Sequence, residues 1–150
     1  MRLMPPQSSD GWPDDLILFD GVCLFCSRWV RAVIARDGGR FRFVSIQSPY
    51  GRAMARAFGI DAEAPDTNAV TLGGRALFKS DAALAVLGAL PGWGWTTAFS
   101  ALPRAVRDPA YDLIAQNRYR LFGKSDICFA PTPDQRTRFL DGAEPPAGAA

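Results

Sequence analysis

The run Phe19-Asp20-Gly21-Val22-Cys23-Leu24-Phe25-Cys26 constrains this chain more than any other stretch. It follows Leu16-Ile17-Leu18, and the combined apolar run Leu16–Phe19 reads as a buried strand ended by the turn pair Asp20-Gly21. Apolar residues then recur at helical spacing, at Val22, Cys26, Trp29, Val30, Val33 and Ile34, with Arg28, Arg31 and Arg36 on other faces. The spacing predicts a helix over residues 23–36. It opens on one cysteine and carries a second one turn later. First-turn N–H groups and the helix dipole favour a negative charge, so a thiol at that position is expected to ionise readily. The thiolate is the form that attacks a disulfide.

Alternation continues beyond this junction. Gly38-Gly39 stops the first helix, and residues 41–45 read as a second strand. Ser48 as N-cap and Pro49 at the first position open a second helix that ends near Phe58-Gly59. Residues 69–72 and 75–78 form a hairpin about Gly73-Gly74, and Ser80 is read as the cap of a third helix to about residue 90. The order strand–helix–strand, helix, hairpin, helix requires one parallel pairing by a crossover and one antiparallel pair. The fold class expected is α/β and thioredoxin-like, a central mixed four-stranded sheet flanked by helices, with additional C-terminal helices. Those extra helices, within residues 97–122, are expected to pack through Leu102, Val106, Tyr111, Ile114 and Phe122. Residues 1–14 read as a flexible N-terminal lead, 15–140 as the single domain, and 141–150 as a disordered tail.

A C-x-x-C that opens a helix after a strand is how thioredoxin-like enzymes present a redox pair. The resemblance extends further. Asp20-x-x-Cys23-x-x-Cys26 resembles the signature of the DCC family of thiol–disulfide oxidoreductases, named for its Asp, Cys and Cys. Residues 41–48 resemble its second strand and the turn after it. Lys79-Ser80-Asp81-Ala82 resembles its G-S-D-A helix start, with Lys79 where a glycine is common. Asn117-Arg118-Tyr119-x-x-Phe122-Gly123 resembles its C-terminal N-R-Y-x-x-F-G segment, and Cys128 follows where that family often has a cysteine. The resemblance implies a thiol–disulfide oxidoreductase in which Cys23 attacks and Cys26 resolves. The substrate would be a protein or small-molecule disulfide. The cysteine pair carries the electrons, so no bound cofactor is expected, only an external reductant. Asp20 reads either as a turn and cap residue or as a carboxylate that accepts the thiol's proton. One departure from thioredoxins is that no proline directly precedes the strand at 69–72. Pro65 lies four residues before Ala69, and Thr67 is read as the stand-in at that turn.

Composition removes other classes. There is no histidine, which excludes Ser-His-Asp and Cys-His catalysis and histidine-ligated metal. A net charge of +2 argues against nucleic acid as a partner. A zinc site would have to recruit Asp20, Cys23, Cys26 and Cys128, and no second C-x-x-C pairs with Cys128, which reads as a packed residue; no metal is expected. Three cysteines do not make a secreted disulfide scaffold, and residues 1–6 lack a signal-peptide core, so the expected compartment is the cytoplasm. Residues 82–103 carry no charge and are long enough to span a bilayer, but Pro91 and several glycines interrupt them. They read as a core helix, a turn and a second helix. Trp93, Trp95 and Phe99 could form an exposed apolar patch for a protein or membrane surface. That patch defines the alternative function, a thioredoxin-fold binding or adaptor module with a regulatory or vestigial C-x-x-C.

Overall fold

The structure, a computed structural model, describes residues 6–9, 11–21, 24–63, 67–117, 120, 133 and 136–140, with the backbone alone for 24–27 and 115. Its strands are β1 (Gln7–Ser8), β2 (Leu16–Phe19), β3 (Arg42–Ser45), β4 (Ala69–Leu72) and β5 (Arg75–Phe78). Its α-helices are α1 (Leu24–Arg36), α2 (Pro49–Ala57), α3 (Lys79–Ala89) and α4 (Arg104–Gln116), with a 3-10 helix at Gly94–Ala101 and another at Arg136–Arg138. The strands form one mixed sheet in the order β1-β5-β4-β2-β3. β2 pairs parallel with β3 and antiparallel with β4, and the hairpin pairs β4 with β5. The four strands read from the sequence take the thioredoxin-like arrangement, and a fifth short strand extends it.

Strand periodicity explains the layering. Leu16 and Leu18 point into a core with Val44, Tyr50, Met54, Phe58 and Phe78, on the side covered by α2. Ile17 and Phe19 point the other way, into a core with Val30, Val33, Phe43, Val70 and Val86 under α1 and α3. All four residues of β2 are buried, which is why the strand reads as a continuous apolar run rather than an alternating one.

Short segments pair with both β5 and β3, the outer strands of the four read from the sequence. Gln7–Ser8 pairs antiparallel with β5, and Trp12 is buried against Tyr50 and Phe58 with ring centroids 5.5 and 6.0 Å away. These residues lie in the stretch expected to be a flexible lead, where no apolar periodicity announces a two-residue strand. The tail expected to be disordered, residues 141–150, lies outside the described residues. Just before it, Phe139 bridges to Phe43 and stacks near both Phe19 and Phe43, and Leu140 N–H donates to the Phe43 carbonyl at 2.8 Å. Covering sheet edges in this way removes unpaired backbone groups that would otherwise invite association.

Helix ends follow the sequence in part. Ser48 caps α2 as read: its Oγ accepts from Gly51 N–H at 3.0 Å and donates to the Ser45 carbonyl at 2.7 Å. Ser80 is not a cap. α3 begins one residue earlier at Lys79, Phe78 is the capping position without a side-chain bond, and the Ser80 hydroxyl turns to Asp108 on α4. Residues 82–103 divide into α3, a turn at Pro91-Gly92 and the 3-10 helix. Among the described residues, no helix is long and apolar enough to cross a membrane.

The entry to α2 lies against the end of β3. A Cβ on Gly51 would sit 1.9 Å from the Ser45 carbonyl oxygen and 2.8 Å from Ile46 Cα, both backbone atoms that cannot swing aside. Gly51→Ala is therefore expected to destabilise the protein by about 2–3 kcal/mol, the upper part of the range for overpacking. Chemical denaturation checks this, and a change within experimental error would show that β3 and α2 separate easily.

Candidate active site at the sheet edge

One edge of the sheet gathers the chemistry. Parallel pairing aligns Phe19 with Ser45, so β2 and β3 both end there. Antiparallel pairing of Leu18 with Ala69, and of Ala69 with Phe78, brings the start of β4 and the end of β5 to the same edge. Asp20, Gln47, Thr67 and Lys79 therefore emerge together, although the first and last are 59 positions apart in sequence. α1 begins at Leu24, the residue after Cys23, and holds Cys26 as its third residue. Cys23, the Cys26 side chain and Cys128 lie outside the described residues.

Asp20 is buried, with 3% of its surface exposed. A carboxylate at that depth requires donors to offset lost hydration. Gln47 supplies one: its Nε2 donates to Asp20 Oδ1 at 2.7 Å. The Gln47 Oε1 accepts from the Gly21 backbone N–H at 2.9 Å and from the Ser45 hydroxyl at 2.6 Å. The amide orientation is fixed by its partners, because a backbone N–H can only donate and a carboxylate only accepts. One side chain thus ties the turn after β2 to the end of β3. Gln47 belongs to the segment that resembles the family's second strand and turn, yet nothing in a lone Gln marks it as a site residue.

Beside it lies a second polar constellation. Lys79 is 1% exposed, and its Nζ reaches both oxygens of Asp112 on α4, at 2.8 and 3.0 Å. Its backbone has φ of 52°, in the left-handed region that glycine enters freely and a side chain occupies at a cost of about 1–2 kcal/mol. This is the position where the sequence resembles a glycine-bearing motif. Lys79 N–H donates to the Thr67 hydroxyl at 2.7 Å, and that hydroxyl donates to the Asn68 carbonyl at 2.6 Å. Thr67 lies two residues before β4 and anchors the β5–α3 junction. Asn68 N–H donates to the Tyr111 hydroxyl at 3.3 Å. Further along, Arg104 and Arg107 pair with Asp81 at 2.7 and 2.9 Å.

These contacts correct the expected packing of the C-terminal helices. α4 faces the domain with Asp108 and Asp112, four residues apart on one face, and turns Val106, Leu113 and Ile114 outward. Leu102 is also exposed, Tyr111 is half-buried, and Phe122 lies outside the described residues. Apolar spacing suggested a greasy seam, but the buried Lys79 ammonium needs a carboxylate more than the core needs another leucine. Trp93, Trp95 and Phe99 stand exposed, with successive ring centroids 5.9 and 6.2 Å apart.

Comparison with known proteins is consistent with this geometry. Residues 17–124 match the family model described as DCC1-like thiol-disulfide oxidoreductase. The chain is 38% identical to the uncharacterized protein YuxK of Bacillus subtilis, over 89% of this chain and 99% of that protein. It is 36% identical to a chloroplastic DCC family protein of Arabidopsis thaliana, over 75% of this chain and 67% of that protein. No solved structure matches the chain.

The buried pair gives a test of the edge's construction. Asp112→Ala strands the Lys79 ammonium and is expected to cost about 3–5 kcal/mol, whereas Lys79→Met with Asp112→Leu should recover most of that loss. Urea titrations of both variants check this; a single variant as stable as the parent would show that the pair is hydrated.

Proposed function

Because the chain belongs to the DCC1-like thiol–disulfide oxidoreductase family, we propose that it exchanges disulfides through Cys23 and Cys26. The observation that carries this reading is the junction itself. A fully buried central strand ends at a buried carboxylate, and a helix begins at the residue after Cys23 with Cys26 in its first turn.

In the first step the Cys23 thiolate attacks one sulfur of a substrate disulfide. A Cys23–substrate disulfide forms, the substrate S–S bond breaks, and the leaving thiolate takes a proton from water. In the second step Cys26 gives its proton to the Asp20 carboxylate and attacks the Cys23 sulfur. The mixed disulfide breaks, Cys23 and Cys26 become a disulfide, and the second substrate thiolate leaves and is protonated. Two electrons pass from the dithiol to the substrate. No cofactor takes part, and an external thiol reductant in the cytoplasm restores the pair. Unpaired N–H groups at the start of α1 favour the Cys23 anion, and a position a turn deeper suits a thiol that waits.

The substrate is a protein or small-molecule disulfide. The exposed Trp93, Trp95 and Phe99 favour a second reading, a binding module with an inert cysteine pair, which requires no turnover at all.

Cys23→Ser is expected to abolish disulfide reduction with a small disulfide and a dithiol reductant. Cys26→Ser is expected to accumulate a Cys23-linked adduct visible by mass spectrometry under non-reducing conditions. Full activity in Cys23→Ser, or a folded parent chain without turnover, would remove the redox reading and leave the binding module.

A further inference from the structure

Gln47 has no part in the two steps above, yet it is the side chain on which the Asp20 carboxylate rests. Its amide nitrogen lies 2.7 Å from Asp20 Oδ1, and its oxygen takes the Gly21 N–H and the Ser45 hydroxyl. Ser45 Oγ in turn accepts from the Gln47 backbone N–H at 3.2 Å, so the end of β3 holds both the backbone and the side-chain oxygen of Gln47. A buried carboxylate can exchange a proton usefully only if it is held at one place and one orientation. Rotating it away would break that bond in a site where 3% of its surface reaches solvent.

We propose that Gln47 is a positioning residue for the redox step: it holds the Asp20 carboxylate where it takes the resolving thiol's proton. This rests on the dithiol reading of Cys23 and Cys26. It also divides the labour of one side chain. The Gln47 oxygen fixes the turn that leads to the cysteines, and the nitrogen fixes the carboxylate.

The division permits a clean test. Gln47→Glu keeps an acceptor for Gly21 N–H and the Ser45 hydroxyl but replaces the donor to Asp20 with a second carboxylate. Gln47→Met removes donor and acceptor together. Each is made in a Cys128→Ala chain, reduced, and mixed with an aryl disulfide that releases one coloured thiolate per step. The first release reports formation of the mixed disulfide, and the second reports its resolution. General acid–base assistance is worth about 100- to 10,000-fold, so partial loss of positioning should slow resolution by roughly 10- to 100-fold. In Gln47→Glu, whose turn contacts are kept, formation should stay within about 3-fold, since it does not use the carboxylate.

In an Asp20→Asn background, Gln47→Glu, which keeps the turn contacts, should slow resolution no further, because the group it positions is gone. A purely structural role would instead slow both phases in Gln47→Glu, or slow Asp20→Asn by the same factor, and either result overturns the proposal. Thermal melts of each variant identify any that fail to fold, for which Gln47→Glu, with its turn contacts kept, decides. Two-phase release by the parent chain with no change in Gln47→Glu would overturn the proposal alone. Failure of the parent chain to release the second thiolate would overturn the dithiol reading and this proposal with it.

Discussion

Everything at the candidate site depends on β2 lying between a parallel and an antiparallel neighbour. Its four residues are buried on both faces, and each such side chain contributes about 1.5–3 kcal/mol on leaving water. The register then decides what meets at the strand's end. Parallel pairing sets Ser45 beside Phe19, so Gln47 arrives next to Asp20. Antiparallel pairing sets Ala69 beside Leu18, and two residues further along this register Thr67 comes level with Asp20. A one-residue slip of β2 would exchange its two core faces and separate these groups, so core packing and site assembly select the same register.

The buried charged side chains among the described residues are arranged so that each has a partner of opposite kind. Asp20 meets the Gln47 amide, and Lys79 meets Asp112. Asp37, at the far end of α1, accepts from Gly39 and Phe41 N–H groups and pairs with Arg138. Asp108 is the partial exception, with one oxygen on Ser80 and the other unbonded. The cost of this arrangement falls on α4, which gives its inward face to two aspartates and leaves Val106, Leu113 and Ile114 exposed. An ion pair buried to this depth adds little net stability but is costly to break, so its effect is to fix α4 in one place against the sheet edge.

Much of this could be read from residues alone. The apolar run at 16–19, the Asp-Gly turn, the Ser48-Pro49 helix entry and the Gly73-Gly74 hairpin each carry a local physical signal, and each appears where that signal placed it. What escaped was non-local. Gln7–Ser8 is a strand only because β5 offers an edge, and Trp12 is buried only because Tyr50 and Phe58 leave room for it. Ser80 has the composition of a cap, but its hydroxyl is drawn to a carboxylate 28 residues away. Asp20 was legible as a candidate through its spacing to the cysteines, whereas Gln47 was not, since its role exists only once β3 lies beside β2. Lys79 is the instructive middle case. The sequence marked it only as a lysine where a glycine is common; the structure supplies the reason, φ of 52°, and Asp112 as its partner.

The proposed redox chemistry requires the start of α1 to activate Cys23 while Cys26 waits. Alkylation of the reduced chain by a limiting amount of iodoacetamide at mildly acidic pH, with each site read by peptide mass spectrometry, tests it most directly. Cys23 is expected to be modified first and well ahead of both Cys26 and Cys128. Earlier labelling of Cys26, or three cysteines that react at one common slow rate, would contradict it.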